Sequence, residues 1–443
     1  MKDLREGNTY KNLIGFALPI LFGNILQLTY NAVDSVIVGR CAGEQALAAV
    51  GISNPVMSIV ILGASGVSIG ASAFMGKCYG AKKYEELKQA FASVMVLSII
   101  ASVVILSICM LFCHPLLKAL QVPKEIYTLT EHYLRIILLS FPFTFVYNVM
   151  TASLRSIGDS ATPIIFLGIS CVINVILDLT LVGYFGMSAR GAGLATLIAE
   201  GISCMLCIIH VYRNVPLLSL KHNEWKPNMR IAKIVMANGG VTALQQLMQP
   251  IGKVLIQGCI NGYGVSMIAA FNAVNRLDDF ACIPEQSISH AMMTYISQCV
   301  GAGDEEKKQE GFRKGMVLEL CYGVFIFLII YIFRGGLIRI FGSGNMAEIG
   351  EDYLKVMAIF YIWPAVTNGI QGYFRGIQKM KITLISTCIQ ITLRTIFVYT
   401  LVPKIGMNGA AYACAIGWTV MIGYQIVVYR KYGGKKAAGG RIE

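Results

Sequence analysis

Twelve apolar segments, each close to the length that crosses a hydrocarbon layer, divide this chain and leave few folds open to it. They run near residues 13–39, 46–75, 91–113, 131–153, 163–185 and 191–212, then 234–260, 266–298, 314–334, 350–373, 382–402 and 408–429. A layer about 30 Å thick takes roughly 20 helical residues per crossing. Inside it, every backbone N–H and C=O must be bonded within the protein, so runs of this kind become helices. With 56% of its 443 residues apolar, 14% charged and a mean hydropathy of +0.63, the chain has too little charge to clothe a soluble core of its size. The expectation is an all-α membrane protein with twelve transmembrane helices.

The net charge of +13 points to topology rather than to nucleic acid. Lys and Arg gather in GKCYGAKKYEELK (76–88), in the connector 213–233, in DEEKKQEGFRK (304–314) and in the tail from Arg430. Those stretches share one side of the membrane if both termini are cytoplasmic, as the positive-inside rule requires in a cell inner membrane. The start, MKDLREGNTYKN, carries two acids among its bases and no small-residue cleavage pattern, so the N-terminus is expected to be retained. The 13 cysteines form no CxxC or Cys/His spacing and read as reduced, buried hydrophobes. No GxxxxGK[ST] or HExxH occurs, which removes the usual ATP-driven and zinc-dependent readings.

The chain repeats itself. LAAVGISNP (47–55) matches IAAFNAVNR (268–276), and GKCYGAKK (76–83) falls opposite SQCVGAGD (297–304) at the same offset of 221. LRSIGDSATP (154–163) lies opposite FRGIQKMKIT (374–383). Six helices per copy is an even number, so both copies enter the membrane in the same direction. The polar connector joins them, giving expected domains 1–219 and 220–443.

Acids inside apolar runs carry the functional argument. A charge at membrane depth costs about 2.5–3.5 kcal/mol on insertion scales, so such a residue faces protein or water and has a task. Asp34 lies in QLTYNAVDSVIVGR, where Gln27 and Asn31 share its helical face. Pro19, earlier in that run, removes a backbone donor and is the expected kink. In the fifth helix Asn174 and Asp178 stand four apart on one face, as do Thr196 and Glu200 in the sixth. Asp34, Asn174, Asp178 and Thr196 make an all-oxygen set that suits a hard cation such as Na+. The same two carboxylates suit a proton, and the residues leave both open. The repeat supplies a control: the counterparts are Leu255, Arg394, Val398 and Cys414, with Trp418 opposite Glu200. Packing of the repeat therefore does not demand these polar residues.

The second half has its own charges: Lys253, Arg276, Asp278, Asp279, Glu285 and Arg394. They are expected to neutralise one another, the alternative being that Asp278 or Glu285 meets a cationic substrate. Asn148 and Asn368 hold equivalent positions and are candidates for lining a cleft between the halves. GASG (63–66) echoes a serine nucleophile, but Gly63, Gly66 and Gly70 make a small-residue stripe better suited to close helix packing.

Taken together, Pro19, the run from Asn31 through Asp34 to Gly39 and Arg40, Gly80-Ala81, LRSIGDSATP, INVILD, GAGLAT and Gly301-Ala302 resemble the multidrug and toxic compound extrusion (MATE) transporters over nearly the whole chain. That resemblance implies two pseudo-symmetric six-helix bundles forming a V around a central cleft. It implies export of amphipathic, often cationic compounds in exchange for Na+ or H+. In the branch with its cation site in the N-terminal lobe, the positions of Asp34, Asn174, Asp178 and Thr196 bind the ion, while Gln27 and Asn148 belong to the nearby cavity. Another branch uses acids in the seventh and tenth helices. Here the seventh offers Gln245, Gln246 and Gln249, and Pro364 stands at the tenth-helix position, which argues against that site.

The chain is thus expected to be a monomeric secondary active multidrug efflux transporter working by alternating access. It is not an enzyme, and it has no cofactor beyond its coupling ion. Its partners are small amphipathic or cationic molecules and membrane lipid, not nucleic acid. A flippase for lipid-linked or polyisoprenoid cargo is the nearest rival, since a two-lobe frame alone does not name a cargo.

Overall fold

Residues 3–433 of the computed structural model are described, and they are helical almost throughout, with no strand among them. In order they form α1 (Thr9–Gly80), α2 (Tyr84–Leu111), α3 (Cys113–Ala119), α4 (Lys124–Leu138), α5 (Phe141–Ser156), α6 (Thr162–Asp178) and α7 (Ser188–Asn214). There follow α8 (Met229–Ile260), α9 (Val265–Ala302), α10 (Glu305–Arg339), α11 (Asn345–Met357), α12 (Ile362–Gly376), α13 (Met380–Ile405) and α14 (Asn408–Gly433). The basic tail beyond 433 lies outside the described residues.

Seven of these helices are long and apolar enough to cross a membrane, and the bent pair α4–α5 makes an eighth. At 1.5 Å per residue the 72 residues of α1 run for about 110 Å, enough for two crossings. The break between them is Gly43, whose φ of 84° and ψ of −179° suit a residue without a Cβ. Helices α8 and α9 and the pair α11–α12 complete the twelve spans read from the sequence. Their lower hydropathy has a visible cause: α8 carries Lys233, Gln245, Gln246, Gln249 and Lys253, and α9 carries Arg276, Asp278, Asp279 and Glu285.

The fourth span of each repeat is interrupted. Between α4 and α5 the axis bends by 40° just before Pro142, and α11 passes to α12 through a single 3-10 turn, Ala358–Tyr361, just before Pro364. A proline lacks the N–H and crowds the carbonyl one turn back, so the helix restarts there. At Pro19 the outcome differs. Gly43 is the one residue of α1 with non-helical dihedrals, so Pro19 removes a hydrogen bond without breaking the helix.

Contacts within the chain divide it into two compact units, 1–243 with 297–304, and 244–296 with 305–443. The first unit takes in the whole connector because Leu218, Leu220, Ile231 and Val235 are buried in its core beside Leu87, Phe91, Leu154 and Val211. Polar contacts hold the same loop: Asn228 Nδ2 donates to Gln89 Oε1 at 2.8 Å, and Lys88 pairs with Glu224 at 3.2 Å. The Lys221 backbone N–H, and then Lys88, keep the Glu224 carboxyl below its ordinary range.

Glycines of α1 bring backbones together in this unit. A Cβ on Gly66 would lie 2.3 Å from Ala243 Cα, and one on Gly70 would lie 2.6 Å from Gly239 N. Gly63 meets nothing within 4 Å, so the packing stripe expected at 63, 66 and 70 is a pair.

Candidate functional site

The first unit gathers the four residues singled out as a cation set. Small residues make this possible. A Cβ on Gly191 would meet Leu181 C at 3.1 Å, and one on Gly193 would meet Ile136 Cγ2 at 3.2 Å. The GAG start of α7 therefore seats it closely against α4 and the segment after α6, which puts Thr196 over the end of α6. At Asp178 the α-helix gives way to a π turn, Leu179–Tyr184, a wider winding common at functional sites.

Asn174 and Asp178 are both 0% exposed, and Asp34 of α1 is half-buried. The side chains of Asp34 and Asp178 are within hydrogen-bonding reach of each other, while the Oδ1 atom of each is buried with no hydrogen-bond partner. The amide of Asn174 decides what the pair can hold. With its nitrogen toward Asp178 it donates to Oδ2 at 2.7 Å and accepts from the Thr196 backbone N–H at 3.1 Å. In the opposite orientation Nδ2 faces Thr196 Oγ1 at 3.4 Å, and the amide oxygen turns toward the carboxylates. One rotamer supplies a donor to a carboxylate and the other an oxygen to a cation. Two like charges packed together in a desolvated site need a proton or a cation between them.

Two tyrosines join this site that sequence reasoning passed over. Tyr30, one turn before Asp34, has its hydroxyl 3.4 Å from Thr196 Oγ1. Tyr133 of α4 is buried in the field of Asp34, Asp178 and Glu200. The i, i+4 spacing of Tyr30 and Asp34 was the available signal for the first. Glu200 has a separate partner, the Thr144 hydroxyl, which donates to it. Asn148 is bound to the same turn, its Nδ2 donating to Thr144 O at 2.9 Å. Gln27 and Asn31 are exposed on α1, and Pro19 is half-buried. Replacing Asn174 by Leu leaves Asp178 Oδ2 unpaired, which costs about 1–3 kcal/mol. The expected outcome is a tenfold or greater loss of apparent coupling-ion affinity, read from transport at graded ion concentration.

The remaining candidates belong to the second unit. Asp278 accepts from the Tyr361 hydroxyl and has Arg394 nearby. Lys253 pairs with Asp279 at 2.6 Å, both about half exposed, and Arg276 is exposed. Glu285 is fully buried and takes a hydrogen bond from Asn368 Nδ2 at 3.2 Å. The expected mutual neutralisation thus reaches Lys253 with Asp279 but not Glu285. Gln245 of α8 is fully used, donating to Gln371 Oε1 at 2.9 Å and Thr387 Oγ1 at 3.0 Å while accepting from Thr383.

The MatE family model matches residues 19–180 and, a second time, 242–400. The chain belongs to the MatE family. The double match covers both copies of the repeat. Among curated relatives of this MatE protein, it is 27% identical over 391 residues to the probable multidrug resistance protein YpnP of Bacillus subtilis, covering 87% of each chain. It is 26% identical over 413 residues to the probable multidrug resistance protein NorM of Thermotoga maritima, covering 90% of this chain and 88% of that one. Its fold is that of a multidrug resistance MATE family transporter of the MOP superfamily solved in an outward-facing conformation, with a TM-score of 0.89 at 21% identity over 97% of both chains. The MatE chain is therefore a multi-pass membrane protein of a transporter family, not an enzyme.

Proposed function

We propose that this protein is a secondary active multidrug exporter that moves amphipathic, often cationic compounds out of the cell in exchange for H+ or Na+. The observation that carries this reading is the convergence of Asp34, Asn174, Asp178 and Thr196, from three helices, around two carboxyls with orphaned oxygens. Their repeat counterparts Leu255, Arg394, Val398 and Cys414 include no carboxylate. The multidrug names of the relatives support the cargo class.

In this reading the Asp34–Asp178 pair belongs to the branch with its cation site in the N-terminal lobe. Binding of the ion there and binding of substrate favour opposite states of an alternating-access cycle. Loading the pair removes net charge from α1, and Pro19, which already lacks one hydrogen bond, is where that helix bends to change the cavity lined by Gln27, Asn31 and Asn148. Asn368 and Asp278 are assigned to the substrate side of the second lobe. The protein sits in the inner membrane as a monomer with both termini cytoplasmic.

Efflux of a fluorescent organic cation from proteoliposomes under separately imposed Na+ and proton gradients tests this. The expected result is uphill transport that follows one of the two gradients. Transport indifferent to both rejects the coupling and moves lipid-linked cargo forward.

A further inference from the structure

Among the described residues, the second unit buries two acids that no Lys or Arg neutralises. Glu285 of α9 and Glu319 of α10 are each 0% exposed. Asn368 donates to Glu285 Oε2, which leaves Glu285 Oε1 and both oxygens of Glu319 buried without a hydrogen-bond partner. Helix α12 closes the junction: at Gly369, next to Asn368, a Cβ would meet Glu319 Cγ at 3.3 Å, and Ser289 Oγ donates to Asn368 O at 2.7 Å.

The repeat gives an internal control here too. At the offset of 221, Glu285 and Glu319 stand opposite Ala64 and Ser98, both buried. Packing of this layer is thus achieved without acids in the other copy, whereas Asn368 and its counterpart Asn148 are kept in both.

Among the described residues, the titratable groups shown to bear on the pair are few. Glu285 is the charge that bears on Glu319. Cys282 of α9 and Tyr322 of α10 lie alongside, with Asp278 a step further along α9. The Tyr322 hydroxyl is committed to the Ala281 carbonyl at 2.8 Å. On α12 the nearest charged side chain, Arg375, gives its Nη2 to Gln371 Oε1 at 3.0 Å.

A lone carboxylate held this far from water carries a penalty of several kcal/mol, and two adjacent ones carry more. Complete burial keeps a drug-sized cation away. A sodium ion would have to exchange its water for a shell of oxygens, while Asn368 presents Glu285 with its N–H side. A proton needs only an oxygen lone pair to bind, and the orphaned carboxylate oxygens supply it. We propose that the buried acids Glu285 and Glu319, brought to one junction by Asn368 and Gly369, together form a proton-binding site in the second unit, distinct from the Asp34–Asp178 pair.

Infrared spectroscopy of the full-length protein in liposomes tests this through proton occupancy, so its outcome does not depend on the efflux reading. Wild type and Asp34→Asn/Asp178→Asn are both expected to show a protonated-carboxyl C=O absorption at neutral pH. That signal should fall by one carboxyl in Glu319→Gln, shift in Glu285→Gln and stay unchanged on addition of Na+. Spectra identical to wild type in both Glu variants would overturn the proposal, as would a signal erased by Na+. If Glu319→Gln does not reach the membrane, Glu285→Gln decides alone: a shifted band supports the proton site and an unmoved band rejects it.

Discussion

Asp34→Asn protein in proteoliposomes is expected to lose uphill efflux altogether, its substrate accumulation ratio falling to unity, while thermal unfolding stays near that of wild type. Asn has nearly the shape of Asp and still offers an oxygen and a donor toward Asp178, so the packing of α1 against α6 survives. What disappears is the capacity to exchange charge. One charge moving down about 100 mV supplies roughly 2.3 kcal/mol, close to fiftyfold in substrate concentration, and the altered pair no longer draws on it. Downhill leakage of substrate should persist, which separates loss of coupling from loss of folding. Wild-type accumulation by Asp34→Asn would rule out the pair as the coupling site.

Gly301→Ala is expected to be the most damaging single-methyl change in the chain. A Cβ there would sit 1.9 Å from Lys77 O and 2.8 Å from Ala81 N, and across the same contact a Cβ on Gly80 would sit 2.0 Å from Gln298 O. Every obstructing atom is backbone, so no side chain can swing aside and the two helix ends must part. Nearby hydrogen bonds, Gln298 Nε2 to Ser156 O at 3.0 Å and the Leu4 N–H to Gln298 Oε1 at 3.2 Å, would stretch with them. Overpacking of this kind costs about 1–3 kcal/mol or more. A lower unfolding temperature in detergent and a smaller folded fraction in membranes are the expected readings. Gly63→Ala, at a helical glycine facing open space, is the matched control and should leave both unchanged. Equal behaviour of the two variants would show that the contact tolerates separation.

Much of the candidate site in the first unit was legible because membrane burial makes acids conspicuous. Asp34 and Asp178 stood out against apolar neighbours, and the second copy of the repeat showed that packing could do without them. Tyr30 and Tyr133 gave little such contrast, since an aromatic in a span is usually lipid-facing or core. Glu319 was overlooked for another reason: it follows a charged cluster, DEEKKQEGFRK, closely enough to be read past. Its significance lies in the absence of partners, which is a property of three packed helices and not of α10.

From the sequence alone came the twelve spans, the repeat and the four polar residues of the first unit, because hydrocarbon thickness sets segment length and the penalty on buried charge marks the exceptions. Only the tertiary structure decided the rest. α1 keeps helical dihedrals at Pro19 and breaks at Gly43, because a missing hydrogen bond is tolerated in a supported helix while a φ of 84° with a ψ of −179° suits only glycine. The connector belongs to the first unit because Leu218 and Leu220 bury there. Glu285 and Glu319 lack a cation because α9, α10 and α12 bring them together where, among the described residues, no Lys or Arg reaches.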